Sequence, residues 1–177
     1  MRIDMDTSIL RQCVRDIEDF PKEGVTFKDI TPLLGDPAAF STAVDAIVVS
    51  FGRGNIDKVV GIEARGFIIG APVAYHFSAG FIPLRKAGKL PYETLAESYE
   101  LEYGSESLEV HADACGEGDQ VLIVDDVLAT GGTARAACDL VERTGAHVAG
   151  LAFIIELEFL KGAEKIDGYD YVSLLQY

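Results

Sequence analysis

Two carboxylates stand side by side in the segment VLIVDDVLATGGT, residues 121–133, and a turn rich in hydroxyls and glycine follows almost at once. Asp125 and Asp126 come after four apolar residues with the composition of a central parallel strand, which would place the pair at its carboxyl end. Open α/β sheets bind ligands in the crevice there. Ala129, Thr130, Gly131, Gly132 and Thr133 then offer small side chains, two hydroxyls and a run of backbone N–H groups leading into a helix. A helix N-terminus carries partial positive charge and unpaired donors, and glycine lets the backbone approach oxygens closely, so this turn suits a phosphate. It is neither a GxxxxGK[ST] loop nor a GxGxxG fingerprint. Carboxylates would repel that phosphate directly. They suit a ligand that sets vicinal hydroxyls against them and carries its phosphate farther along, as a ribose 5-phosphate does.

The elements that must position this turn are readable from periodicity. Ile9, Leu10, Cys13, Val14 and Ile17 fall at helical spacing, predicting a helix over 6–19 with Asp6 or Thr7 as cap and Pro21 past its end. Residues 24–35 read as irregular. Asp36 and Pro37 open a second helix whose stripe is Phe40, Val44, Ile47, Val48 and Phe51, closed by Gly52 and Gly54. Lys58–Ile62 reads as a buried strand, 66–77 as a helix containing Pro72, and Phe81–Leu84 as a strand. The polar stretch 85–98 reads as a long surface loop, of the kind that often serves as a lid. Residues 99–103 and 107–110 form a predicted hairpin turning near Gly104. A strand at 120–124, a helix at 133–144, a strand at 147–155 and a last strand at 172–175 complete the chain. Strands alternating with helices predict an α/β fold with a mostly parallel central sheet flanked by helices.

Bulk properties narrow the function. The chain has 177 residues, about half apolar, enough for one domain with a sizeable core. Its 29 acidic against 15 basic residues give a formal charge of −14, which argues against a nucleic-acid partner. An anionic small molecule is still admissible, because distant carboxylates are screened beyond about 8 Å at physiological salt. Cys13, Cys115 and Cys138 form no CxxC pair, and His76, His111 and His147 share no ligand spacing, so neither a disulfide framework nor a metal knuckle is predicted. No apolar leader or long apolar run is present, so the expectation is a soluble cytoplasmic protein with no membrane partner.

The aspartate segment resembles the phosphoribosyl-pyrophosphate (PRPP) motif of type I phosphoribosyltransferases. FPKEGVTFKDITPLL, VVGIEARGFIIGAPVA, RKAGKLPYET and SYELEYGSESLEVH, in that order, resemble the adenine-specific members of that family, from about Ile17 to Leu160, and the final SLLQY fits as well. The resemblance implies a type I phosphoribosyltransferase fold in a single domain over 1–177, with a small hood from about 1–35 and a flexible hairpin or loop. It implies Mg²⁺-dependent transfer of 5-phosphoribosyl from PRPP to adenine, giving AMP and pyrophosphate, in a homodimer. Mg²⁺ would be held mainly by PRPP oxygens and water, with no ligand expected directly from the protein.

Site roles follow from the same resemblance. Asp125, Asp126 and 129–133 would take the ribose phosphate. Glu63, Ala64 and Arg65, with a non-proline cis peptide near Glu63–Ala64, and Arg85, Lys86 and Lys89 would take pyrophosphate. Glu102 would face the purine N7 as acid or orienting group, with Tyr103 beside it. Val25, Phe27 and Lys28 would read adenine, with Leu128 as a second wall. Many relatives have Arg where Lys28 stands; the swap matters little if only the main chain touches the base there. A 6-oxopurine or orotate enzyme would need side-chain readers of the oxo group. A PRPP-sensing regulator would need a basic surface or an added domain.

Overall fold

A computed structural model describes residues 7–52, 55–100 and 105–177 of the protein. In chain order its elements are α1 (Ser8–Gln12), β1 (Arg15–Ile17), β2 (Phe27–Asp29), α2 (Thr31–Gly35), α3 (Pro37–Phe51), β3 (Lys58–Ile62), α4 (Arg65–Phe77), β4 (Gly80–Lys86), β5 (Thr94–Glu100), β6 (Ser105–His111), β7 (Gln120–Leu128), α5 (Gly132–Arg143), β8 (His147–Glu156) and β9 (Tyr171–Gln176), with two 3₁₀ turns at Glu158–Leu160 and Gly162–Ile166 before β9.

Seven strands form one sheet in the order β5-β6-β4-β3-β7-β8-β9. The run from β4 to β9 is parallel, and β6 joins β4 antiparallel to bring in the β5–β6 hairpin. From β3 the chain passes through α4 to β4 on one side, and from β7 through α5 to β8 on the other. The winding therefore reverses between β3 and β7, and the crevice at their carboxyl ends is where such a sheet binds ligands.

The β7 sequence explains why both sheet faces are covered. Successive side chains point to opposite faces. Leu122 and Val124 join the core that holds Ile47 of α3 and Val73 of α4, whereas Val121 and Ile123 join the core that holds Leu140 of α5. All four are fully buried. Each such side chain contributes roughly 1.5–3 kcal/mol relative to exposure. Asp36 caps α3 as its position suggests, accepting from the Ala39 N–H at 2.8 Å.

Several boundaries differ from the periodicity reading. The predicted helix 6–19 stops at Gln12; Ile9, Cys13 and Val14 still pack on the core, but Arg15–Ile17 pairs with Phe27–Asp29 as a two-stranded ribbon. Long-range pairing thus overrides a local helical stripe. Residues 24–35 are correspondingly regular in part, contributing β2 and α2. The predicted 85–98 loop is half strand: β4 runs to Lys86 and β5 starts at Thr94, so only 87–93 connects them. Its polar residues face solvent or the cleft from an antiparallel hairpin, where alternation hides the strand. Finally, β7 extends to Leu128, so Asp125 and Asp126 lie within the strand rather than just beyond it.

Candidate active site

At the carboxyl ends of β3 and β7 opens a cleft of about 490 Å³. Two helices begin beside it, α4 after β3 and α5 after β7, and neither has a side-chain cap on its first turn. Helix starts of this kind are where anions bind.

The side chains of Asp125 and Asp126 both reach the cleft. Asp126 pairs with the Arg65 Nε at the start of α4. Asp125 accepts the Asp126 backbone N–H at 2.9 Å. Burial raises the Asp125 carboxyl well above the ordinary carboxylate range, and the neighbouring Asp126 charge adds to it. This carboxyl carries a desolvation cost that folding alone does not require.

The turn after β7 is held from behind. Gly131 adopts φ +77°, and a methyl on it would fall 2.3 Å from the Gly162 carbonyl oxygen. A methyl on Gly162 would fall 2.2 Å from the Ala129 carbonyl oxygen. Two glycines from distant parts of the chain thus let the 129–131 turn lie against the 3₁₀ segment, which fixes the start of α5. Of the five turn residues Thr133 lines the cleft, whereas Ala129, Thr130, Gly131 and Gly132 lie in the turn that leads to it and are not among the lining residues.

Across the cleft, the peptide bond Glu63–Ala64 is cis. Glu63 accepts from Lys89 Nζ at 2.5 Å, from Arg85 Nε at 3.2 Å and from the Lys86 backbone N–H at 3.0 Å. Burial would raise its pKa, but these donors outweigh it and pull the carboxyl down to about 2. Lys86 Nζ turns instead to Glu106 Oε1 at 2.8 Å, and the other Glu106 oxygen takes the Tyr99 hydroxyl at 3.0 Å. The Lys86 bond lowers the Glu106 carboxyl below its usual range. Burial raises the Tyr99 hydroxyl, while the Thr133 hydroxyl bonded to it acts in the opposite sense.

The structure brings Glu63, Ala64, Arg65, Lys86, Lys89, Asp125, Asp126 and Thr133 to one cleft. Arg85 stands behind it on Glu63 and on the Lys89 carbonyl. The β1–β2 ribbon reaches the same region, because the Arg65 guanidinium lies 5.6 Å from the Phe27 ring centre, and Phe27 packs edge-on to Phe20 at 5.3 Å. Val25 sits in the adjoining turn, its carbonyl taking the Phe20 N–H at 3.1 Å. The Lys28 side chain is committed elsewhere, to Asp16 at 2.7 Å and to the Tyr177 ring at 4.2 Å. Leu128 is fully buried in the α5-side core and does not line the cleft. Glu102 and Tyr103 lie outside the described residues.

Tyr99 and Glu106 are additional to the residues that the sequence singles out. They face one another in the β5–β6 register, so the cue was alternation: Glu106 and Leu108 share a face, and both line the cleft.

The family model of the phosphoribosyl transferase domain matches residues 41–176. An adenine phosphoribosyltransferase of Nitrosococcus oceani is 60% identical over 168 residues, covering 95% of this chain and 98% of its own. The chain belongs to the adenine phosphoribosyltransferase family. As a phosphoribosyltransferase it is a pentosyltransferase, and its architecture agrees with solved members. The Thermoanaerobacter pseudethanolicus adenine phosphoribosyltransferase superposes with a TM-score of 0.92 at 50% identity, covering 97% of this chain and 99% of that one. The Saccharomyces cerevisiae phosphoribosyltransferase, solved with an imino-altritol bisphosphate and adenine, gives 0.91 at 40% identity, covering 96% and 98%.

Proposed function

We propose that this chain transfers the 5-phosphoribosyl group from PRPP to N9 of adenine, releasing AMP and pyrophosphate. The observation that carries the reading is the pairing of Asp125–Asp126 with an uncapped α5 N-terminus at one end of the cleft and a cluster of cations at the other. A ribose bearing a 5-phosphate and a 1-diphosphate matches that order of groups. The vicinal hydroxyls donate to the aspartates, the 5-phosphate takes the N–H groups around Ala129–Thr133, and the diphosphate meets Arg65, Lys86 and Lys89.

Departure of pyrophosphate leaves positive charge on the sugar, as in other glycosyl transfers. Asp125 and Asp126 lie where they stabilise that charge, and the cations take the charge of the leaving group. Adenine enters beside Phe27, with the backbone around Val25 and Lys28 reading its edge. Because the Lys28 side chain is held by Asp16 and Tyr177, it serves that role through its main chain. Glu102 and Tyr103 act at the base, and the 85–98 segment closes over the reaction to keep water out.

Mg²⁺ fits the donor chemistry in a limited way. Among the described residues no cluster of three metal-ligating side chains exists, and Asp125 is one of the residues that line the cleft. A hard cation held mostly by diphosphate oxygens and water suits that setting, and when bound it neutralises charge on the leaving group. The chain acts as one domain over 1–177, with the first 35 residues forming a hood, and as a homodimer. Three free cysteines and the absence, among the described residues, of a helix able to cross a membrane are compatible with work in the cytoplasm.

The test is pyrophosphate release with Mg²⁺, PRPP and one base at a time: adenine, hypoxanthine, guanine, xanthine or orotate. AMP formation with adenine alone is expected. Turnover with another base would keep the PRPP site and overturn the base pocket; PRPP binding without any turnover would favour a sensor.

A further inference from the structure

Every cation that lines the cleft or stands behind it among the described residues is already paired with a carboxylate of the chain. Arg65 pairs with Asp126, Arg85 and Lys89 with Glu63, and Lys86 with Glu106. In three of these four pairs both partners are residues that the resemblance assigns to the ligand. Glu106 is different: it lies within SYELEYGSESLEVH, but the resemblance assigns it no role. It sits on the hairpin strand β6, lines the cleft, and uses both oxygens inside it, one on Lys86 and one on Tyr99.

We propose that Glu106 is a resident anion of the pyrophosphate subsite, which occupies Lys86 until a diphosphate displaces it and so sets how weakly pyrophosphate is held. The inference rests on the reading of Lys86 as a diphosphate contact. Two effects work in one direction. Lys86 must leave a 2.8 Å charge-assisted bond, or share it, before it serves the ligand fully. The Glu106 charge also remains beside an incoming polyanion and repels it. A product that must leave after each turnover benefits from such competition, since tight pyrophosphate would slow the cycle.

The opposite role is physically reasonable and predicts the opposite sign. If Glu106 merely held Lys86 in a productive pose, removing its charge would loosen pyrophosphate. If it competes, removing its charge tightens pyrophosphate. Both Lys86 and Glu106 are substantially exposed, with side-chain accessibilities of 50% and 35%, so the effect is that of a solvent-screened pair.

The experiment is direct titration of Mg²⁺–pyrophosphate into the full-length wild-type protein and into Glu106→Gln, with melting curves to establish that the variant is folded. We expect Glu106→Gln to bind pyrophosphate about two- to five-fold more tightly. In a Lys86→Met background the same substitution should give a clearly smaller gain. Equal or weaker binding by folded Glu106→Gln overturns the proposal. A wild-type protein that binds no pyrophosphate overturns instead the assignment of the subsite itself. Should Glu106→Gln fail to fold, Glu106→Ser is read by the same criterion.

Discussion

At the scale of single residues, the cleft is a set of charges arranged against one another. Glu63 shows the arrangement most clearly: a carboxylate with little exposure is kept ionised by Lys89, Arg85 and a backbone N–H. Its pKa in the folded chain, about 2, lies below that of an unfolded glutamate. The stability it contributes is therefore present above the unfolded pKa and is lost as pH falls toward about 2. Glu63→Gln should flatten the decline in melting temperature between about pH 5 and pH 2 relative to wild type. Parallel declines in the two proteins would show that these ion pairs carry no net stability. The sequence marks Glu63, Arg65, Lys86 and Lys89 through a motif, and it marks the aspartate pair through chemistry. It does not mark Glu106, because one glutamate among 29 acidic residues acquires meaning only when a strand register sets it opposite Tyr99.

At the scale of elements, positions were legible where a local pattern coincided with the tertiary one. Helix α3 begins at its Asp36 cap, and α5 begins one residue before its predicted start. Patterns failed where long-range pairing decided the conformation: Arg15–Ile17 became a strand through Phe27–Asp29, and the polar residues after Thr94 became one through β6. The contact between Gly131 and Gly162 was invisible for the same reason, since 31 positions separate them and neither lies in a shared motif. It is nevertheless what supports the phosphate turn. Gly162→Ala would bring a methyl into the Ala129 carbonyl and push that turn forward. Overpacking of this kind costs about 1–3 kcal/mol, or a few degrees of melting temperature at this chain length. We expect a folded variant with a raised KM for PRPP, measured by initial rates at saturating adenine. An unchanged KM together with an unchanged melt would show that the turn is not held by this contact.

At the scale of the whole molecule, a chain of net charge −14 is read as binding a highly charged anion, and the fold resolves the tension. The reversal of winding between β3 and β7 gathers two helix N-termini and the Arg65, Lys86 and Lys89 side chains into one crevice, while acidic groups beyond about 8 Å are screened. The same crevice contains a group that weakens the fold. Asp125 has a raised pKa, so its contribution to stability is greatest at low pH and declines as pH rises through that value. A carboxylate kept at such a cost points to a ligand rather than to the core. The most direct measurement is therefore paired, on Asp125→Ala: thermal melting at neutral pH, and kcat/KM for PRPP with adenine. We expect a melting temperature no lower than that of wild type, with kcat/KM reduced roughly 10- to 100-fold, the equivalent of one or two charge-assisted hydrogen bonds. A folded variant that retained wild-type turnover would contradict this expectation, because the aspartate pair would then serve neither the sugar nor the transfer.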